Sequence, residues 1–128
     1  MYNKKESTED YLENILMAQK ELGPIRAIEL AKYIGFTKAS VSVALKKLKE
    51  QESITVDQDT GIINLTEKGR TLAEKTFERH TILTKSLISL GVNPVIAERD
   101  ACKVEHLLSE ESFEAIKKEL NIKDRTSD

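Results

Sequence analysis

The stretch PIRAIELAKYIGFTKASVSVALKKLKE, residues 24–50, decides the fold. From about Ala27, Ile28, Ala31 and Ile34 recur at helical spacing, and Gly35 stops the run as a natural left-handed cap. Thr37 then reads as the N-cap of a second helix to about Glu50, with the apolar stripe Val41, Ala44, Leu45 and Leu48. The pattern is helix, short turn, helix. Downstream the period changes: Ser53–Val56 and Ile62–Thr66 are short β-rich runs around the polar turn Asp57-Gln-Asp-Thr-Gly61, a β-hairpin signature. Upstream, Leu12, Ile15, Leu16 and Leu22 make one stripe of a helix from about Glu9 to Leu22, which Gly23-Pro24 ends. Residues 1–72 therefore read as a winged helix-turn-helix.

Residues 73–128 are helical in period. Thr66 can cap a long helix through Leu90, stopped by Gly91, and Asn93-Pro94 opens another that should reach about Leu108. Ser109 starts a last helix carrying Phe113, Ile116 and Leu120, frayed after Asn121. The expected fold is mostly α, a winged helix-turn-helix with a small hairpin wing followed by a helical dimerisation domain. Three such amphipathic helices have no evident closed core of their own, and a second copy commonly covers faces of this kind. A homodimer is expected.

The chain has 128 residues, with 20 Lys and Arg against 22 Asp and Glu, a formal charge of −2. No apolar run approaches the roughly 18–20 residues that span a bilayer, so no membrane role is expected. The start, MYNKKESTEDY, lacks an apolar signal core, and one cysteine cannot form an internal disulfide. Both point to a soluble cytoplasmic protein. Charge is unevenly spread: residues 24–49 hold Arg26, Lys32, Lys38, Lys46, Lys47 and Lys49 against Glu29 alone, a local +5. The exposed side of the second helix of the pair, with Lys38, Ala39, Ser40, Ser42, Val43 and Lys46, suits approach to base edges, and its N–H groups favour phosphate. The expected DNA contacts are Arg26, Thr37, Lys38, Ala39, Ser40, Ser42, Lys46 and Lys47, on double-stranded DNA. Lysine by lysine a merely solvated face would look the same; the turn, capped basic helix and hairpin together favour DNA.

Cys102, Glu105 and His106 stand at i, i+3 and i+4, three metal-capable side chains on one helical face, with Glu98 a turn earlier. His80 lies in the preceding helix, and Asp10 and Glu13 share a face of the first. Collected from separate helices, such donors suit a divalent first-row metal, but spacing alone cannot bring them together. Bland alternatives stand beside this. Ser7-x-x-Asp10 matches a capping box, Glu13 suits the helix dipole, Cys102 and His80 suit a core, and Glu105 and His106 a surface. An enzymatic thiolate–imidazole pair from Cys102 and His106 is disfavoured, because a mid-helix Cys has nothing to lower its pKa or form an oxyanion hole. There is also no P-loop, dinucleotide fingerprint or nucleophile elbow, so neither an enzyme nor a small-molecule substrate is expected.

The order STEDYLENI, the winged helix, TEKGRTLA, ERH and ACKVEHLLS resembles the diphtheria-toxin-repressor family of iron-dependent and manganese-transport regulators, over about residues 6–120. The resemblance implies a homodimeric, metal-activated repressor of metal-uptake genes. By position it implies metal ligands at Asp10, Glu13, His80, Cys102, Glu105 and His106, with Glu98 as an ancillary candidate. Manganese-selective relatives carry Asp in the first helix and a carboxylate at position 102, whereas iron-type relatives carry Met and Cys. Asp10 with Cys102 is a hybrid. The carboxylates favour Mn²⁺, and the thiolate favours Fe²⁺, Co²⁺ or Zn²⁺. Mn²⁺ or Fe²⁺ is the expected cofactor, with Co²⁺ or Zn²⁺ in vitro. Thr84 stands where iron-type relatives have an ancillary carboxylate, and Val43 where some have a polar base-reading side chain. Ending before an SH3-like third domain, the sequence resembles the short two-domain form. The alternative is a winged-helix regulator that is metal-independent or answers another ligand.

Overall fold

The computed structural model describes residues 8–126, with side chains described through residue 121. The elements run α1 (Thr8–Leu22), α2 (Ala27–Ile34), α3 (Lys38–Glu50), β1 (Ile54–Val56), β2 (Ile63–Leu65), α4 (Glu67–Ser89), α5 (Pro94–Val104) and α6 (Glu110–Thr126). The chain divides into two compact units inside α4, between Thr76 and Phe77.

In the N-terminal unit α1 is enclosed, with Tyr11, Leu12, Ile15, Leu16 and Ala18 all buried. Leu30, Ala31 and Ile34 of α2, Val41, Leu45 and Leu48 of α3, and Ile25, Ile54 and Ile63 complete the core. Each large aliphatic enclosed this way contributes about 1.5–3 kcal/mol. Two expected stripe members lie outside it. Leu22 is 57% exposed, being the last residue of α1 with no further turn to cover it. Ile28 is also exposed, and Ile25 just upstream takes the buried place. Ala44 is half-buried. The α2–α3 junction is set by local chemistry. Gly35 adopts φ +85°, and its N–H reaches the Ala31 carbonyl. Thr37 Oγ1 then accepts the Ser40 N–H at 3.1 Å. The expected Ser7 capping box lies outside the described residues.

The wing is an antiparallel pair with Ile54 opposite Leu65, Thr55 opposite Asn64 and Val56 opposite Ile63. Asp57 Oδ1 accepts the N–H groups of Thr60 and Asp59 at 2.8 Å each, which orders the turn and holds the Asp57 carboxyl below its usual range. The Ile63 N–H bonds the Ile25 carbonyl at 2.9 Å, tying the wing to the strand-like lead into α2. Gly69 is required at the start of α4: a Cβ there would stand 1.9 Å from the Ser53 carbonyl oxygen. Thr66 caps this helix, accepting the Gly69 N–H at 3.1 Å.

The C-terminal unit packs the later turns of α4 with α5 and α6 around Leu83, Ala97, Ala101, Phe113 and Leu120. Asn93 caps α5 by accepting the Val95 N–H at 2.9 Å, with Pro94 in the first turn. Ser109 caps α6 by accepting the Ser112 N–H at 3.1 Å. α5 stops at Val104 and does not reach Leu108 as expected, because residues 105–108 wind into a tighter turn in which Leu107 and Leu108 both bond the Val104 carbonyl. No Gly or Pro announces this stop. α6 continues to Thr126, past the expected fraying at Asn121. Leu83, Leu87, Leu90, Val104, Leu108 and Leu120 line an open apolar groove of about 500 Å³.

Candidate functional site

α3 buries Val41, Leu45 and Leu48 against the N-terminal core, so its opposite face is free. Thr37, Lys38, Ala39, Ser42, Lys46 and Lys47 are exposed and Ser40 is half-buried. Val43, at 71% exposure, is an apolar side chain left in solvent in the middle of this face. Arg26 differs from the lysines. Its guanidinium Nε lies 3.5 Å from Glu29 Oε1, while its backbone N–H donates to the same oxygen at 2.8 Å. Its stem lies 3.5 Å from where a Cβ at Gly61 would be, so it also braces the wing turn.

The second group of residues lies in the C-terminal unit. His80 is buried on α4, and its Nδ1 stands 3.4 Å from Cys102 Sγ and 3.6 Å from Glu105 Oε2. The other carboxylate oxygen of Glu105, which is 1% exposed, lies 3.4 Å from His106 Nε2. The helical-face expectation is therefore modified: Glu105 sits at the C-cap of α5 with helical dihedrals, and His106 lies in the turn beyond. His106 keeps 24% of its side chain exposed. The Cys102 thiol and the Glu105 carboxylate thus both come within 3.6 Å of the His80 ring in a buried place, a donor set that fits a borderline divalent first-row metal. A carboxylate so enclosed is stable only with compensating charge or hydrogen bonds. Glu98, although one turn from Cys102, is exposed. Thr84 donates its hydroxyl to the His80 carbonyl at 2.7 Å. In the N-terminal unit, Asp10 and Glu13 are both buried, one turn apart on α1.

Arg79 lies in the ERH element beside His80, but no hydrophobic period or donor spacing gives it a role in the sequence, and its side chain is only 14% exposed. One Nη donates to the carbonyls of Glu105 at 2.8 Å and Leu108 at 3.0 Å. The other lies 3.1 Å from Glu110 Oε2, and the guanidinium sits 5.0 Å from the centre of the Phe113 ring.

Residues 5–62 match the family described as iron dependent repressor, N-terminal DNA binding domain. Residues 66–125 match iron dependent repressor, metal binding and dimerisation domain. The transcriptional regulator MntR of Escherichia coli O157:H7 is 36% identical over 115 residues, 90% of this chain and 74% of the relative. The HTH-type transcriptional regulator MntR of Bacillus subtilis (strain 168) is 31% identical over 110 residues, 86% of this chain and 77% of the relative. A solved manganese-dependent transcriptional repressor in complex with manganese aligns with a TM-score of 0.78 at 29% identity, over 90% of this chain and 53% of that one. The manganese regulator SloR aligns with a TM-score of 0.79 at 27% identity, over 90% and 54%. The chain spans about half the length of these solved relatives. It belongs to the iron-dependent repressor family, a family of metal-dependent transcriptional repressors and not of enzymes.

Proposed function

We propose that this protein is a cytoplasmic, homodimeric, metal-activated repressor of metal-uptake genes. The single observation that carries the reading is the buried convergence of His80, Cys102 and Glu105 in a chain whose α3 presents a basic, small-residue face. His80, Cys102, Glu105 and His106 would hold the metal, joined by Asp10 and Glu13 of α1. A bound divalent cation supplies the positive charge that offsets the buried carboxylates and thiolate. The carboxylates favour Mn²⁺, and the manganese complex of a relative supports that ion; Cys102 extends the range toward Fe²⁺.

The chain's own part in the mechanism is positional. Glu105 faces His80 Nδ1 with one oxygen at 3.6 Å and His106 Nε2 with the other at 3.4 Å, so the three side chains turn their donor atoms toward one another. With ligands drawn from α1 as well, metal affinity and DNA affinity become reciprocally linked. The exposed apolar groove of the C-terminal unit, with Leu90 and Leu107 also in solvent, is the surface that a second copy would cover. A dimer would set two α3 helices about 34 Å apart, or a multiple of it, to meet successive major grooves. No helix among the described residues is long and apolar enough to cross a membrane.

The test is selection from a random duplex library with Mn²⁺, with anaerobic Fe²⁺, or with chelator. The expected result is a two-fold symmetric sequence retained only with metal. Glu105→Ala and His106→Ala should lose the metal response while sedimenting as dimers. Equal retention with chelator would remove metal control from the reading.

A further inference from the structure

Arg79 and His80 are consecutive on α4 and act on the same residue. His80 faces the Glu105 carboxylate, while Arg79 donates to the Glu105 carbonyl. The same guanidinium nitrogen also takes the Leu108 carbonyl, at the far end of the turn that carries His106. The second terminal nitrogen reaches Glu110 in the first turn of α6, and the guanidinium packs over Phe113 one turn further on. A single planar cation therefore spans the whole α5–α6 connection.

This geometry explains why α5 ends where it does. The last carbonyls of a helix need donors, and a guanidinium offers several N–H groups in a fixed plane. Once Arg79 takes the Glu105 and Leu108 carbonyls, the segment between them can tighten without leaving those groups unsatisfied. A lysine has the charge but a single compact ammonium on a flexible stem, with no planar fork to hold both carbonyls and the carboxylate together.

We propose that Arg79 is a positioning residue for the metal centre: by holding the 105–108 turn against α4, it sets where Glu105 and His106 stand relative to His80. The inference deepens the metal reading and rests on it. Arg79 touches no metal itself and acts through the backbone of its ligands. Outer groups of this kind typically alter metal affinity by about 10–100-fold when removed.

The experiment uses the full chain, with Mn²⁺ affinity measured by calorimetry and the visible absorption of the Co²⁺ complex as a reporter of ligand geometry. Arg79→Met removes every donor. Arg79→Lys keeps charge and stem and so guards against simple loss of folding. Lys117→Met is the control, because Lys117 pairs with Glu78 at 2.8 Å and joins α6 to α4 without touching the turn. The expected result is about 10–100-fold weaker Mn²⁺ binding and an altered Co²⁺ band in both Arg79 variants, not restored by lysine, with the control unchanged. A merely structural arginine would lower the melting temperature and leave the Co²⁺ band as in the native protein. That outcome, or native Mn²⁺ affinity in folded Arg79→Lys, overturns the proposal. Absence of Mn²⁺ and Co²⁺ binding by the native chain would instead overturn the metal reading beneath it.

Discussion

Lys46 offers the most direct quantitative check on the DNA-facing surface. It lies on α3 opposite the buried stripe of Val41, Leu45 and Leu48, is exposed, and makes no ion pair among the described residues. Such a lysine can neutralise one phosphate, and each phosphate neutralised contributes about 0.9 to the slope of log K against log salt. Two copies in a dimer give about 1.8. Over a fourfold rise in salt, from about 50 to 200 mM, the native protein should lose about 12-fold more affinity than Lys46→Ala, which starts weaker. The assay is fluorescence anisotropy on a random-sequence 30-base-pair duplex (roughly three turns) with excess Mn²⁺ across a salt series. Lys117→Ala serves as control, since its ammonium is already paired with Glu78, and the slope should not change. A Lys46→Ala slope within about 0.5 of native, in a folded protein, would refute the placement of α3 against the phosphate backbone.

Three further outcomes are expected. Mn²⁺ at about a hundredfold its Kd should stabilise the native protein by about 2.7 kcal/mol, and Glu105→Gln, which removes the carboxylate between His80 and His106, should lose most of that gain in a denaturant titration. Gly69→Ala would drive a methyl into the Ser53 carbonyl and should cost about 3 kcal/mol or more, read as a lower denaturant midpoint with the metal response retained. Tyr33 is pushed up from 10.0 to about 12, by burial first and then by its hydrogen bond to Glu21 and that carboxylate's charge. With the folded value above the unfolded one, this stability is full below pH 10 and is lost as pH rises toward 12. The stability difference between native protein and Tyr33→Phe should therefore fall only across that window.

Much of the fold was legible because it is governed by local chemistry. Gly35, Thr37, Asn93, Pro94 and Ser109 are punctuation whose effect depends on the residues beside them, and each occupies its expected cap. The wing followed from a change of hydrophobic period around Asp57–Gly61; β1 starts one residue later than its β-rich run, and β2 is shorter than its run by one residue at each end. Exposure at the ends of stripes was less legible: periodicity assigned Leu22 and Ile28 to buried faces, but cover depends on which neighbour arrives there. For the candidate site, spacing marked Cys102, Glu105 and His106 as neighbours, and His80 was singled out as a donor on another helix that only the family resemblance joined to them. The 3.4 Å approach of His80 to Cys102, across 22 residues, has no local signature.

The sequence by itself determined the helix-turn-helix, the wing, the basic bias of residues 24–49 and the family, because caps, turn residues, period and charge act over a few residues. Only the tertiary structure decided that α5 stops at Val104, that His106 stands in a turn, and that Arg79 holds the Glu105 and Leu108 carbonyls. Those outcomes depend on a donor supplied from another helix 26 and 29 residues away. A half-buried arginine carries no periodic or turn signal, so its partners become known only when the helices have packed.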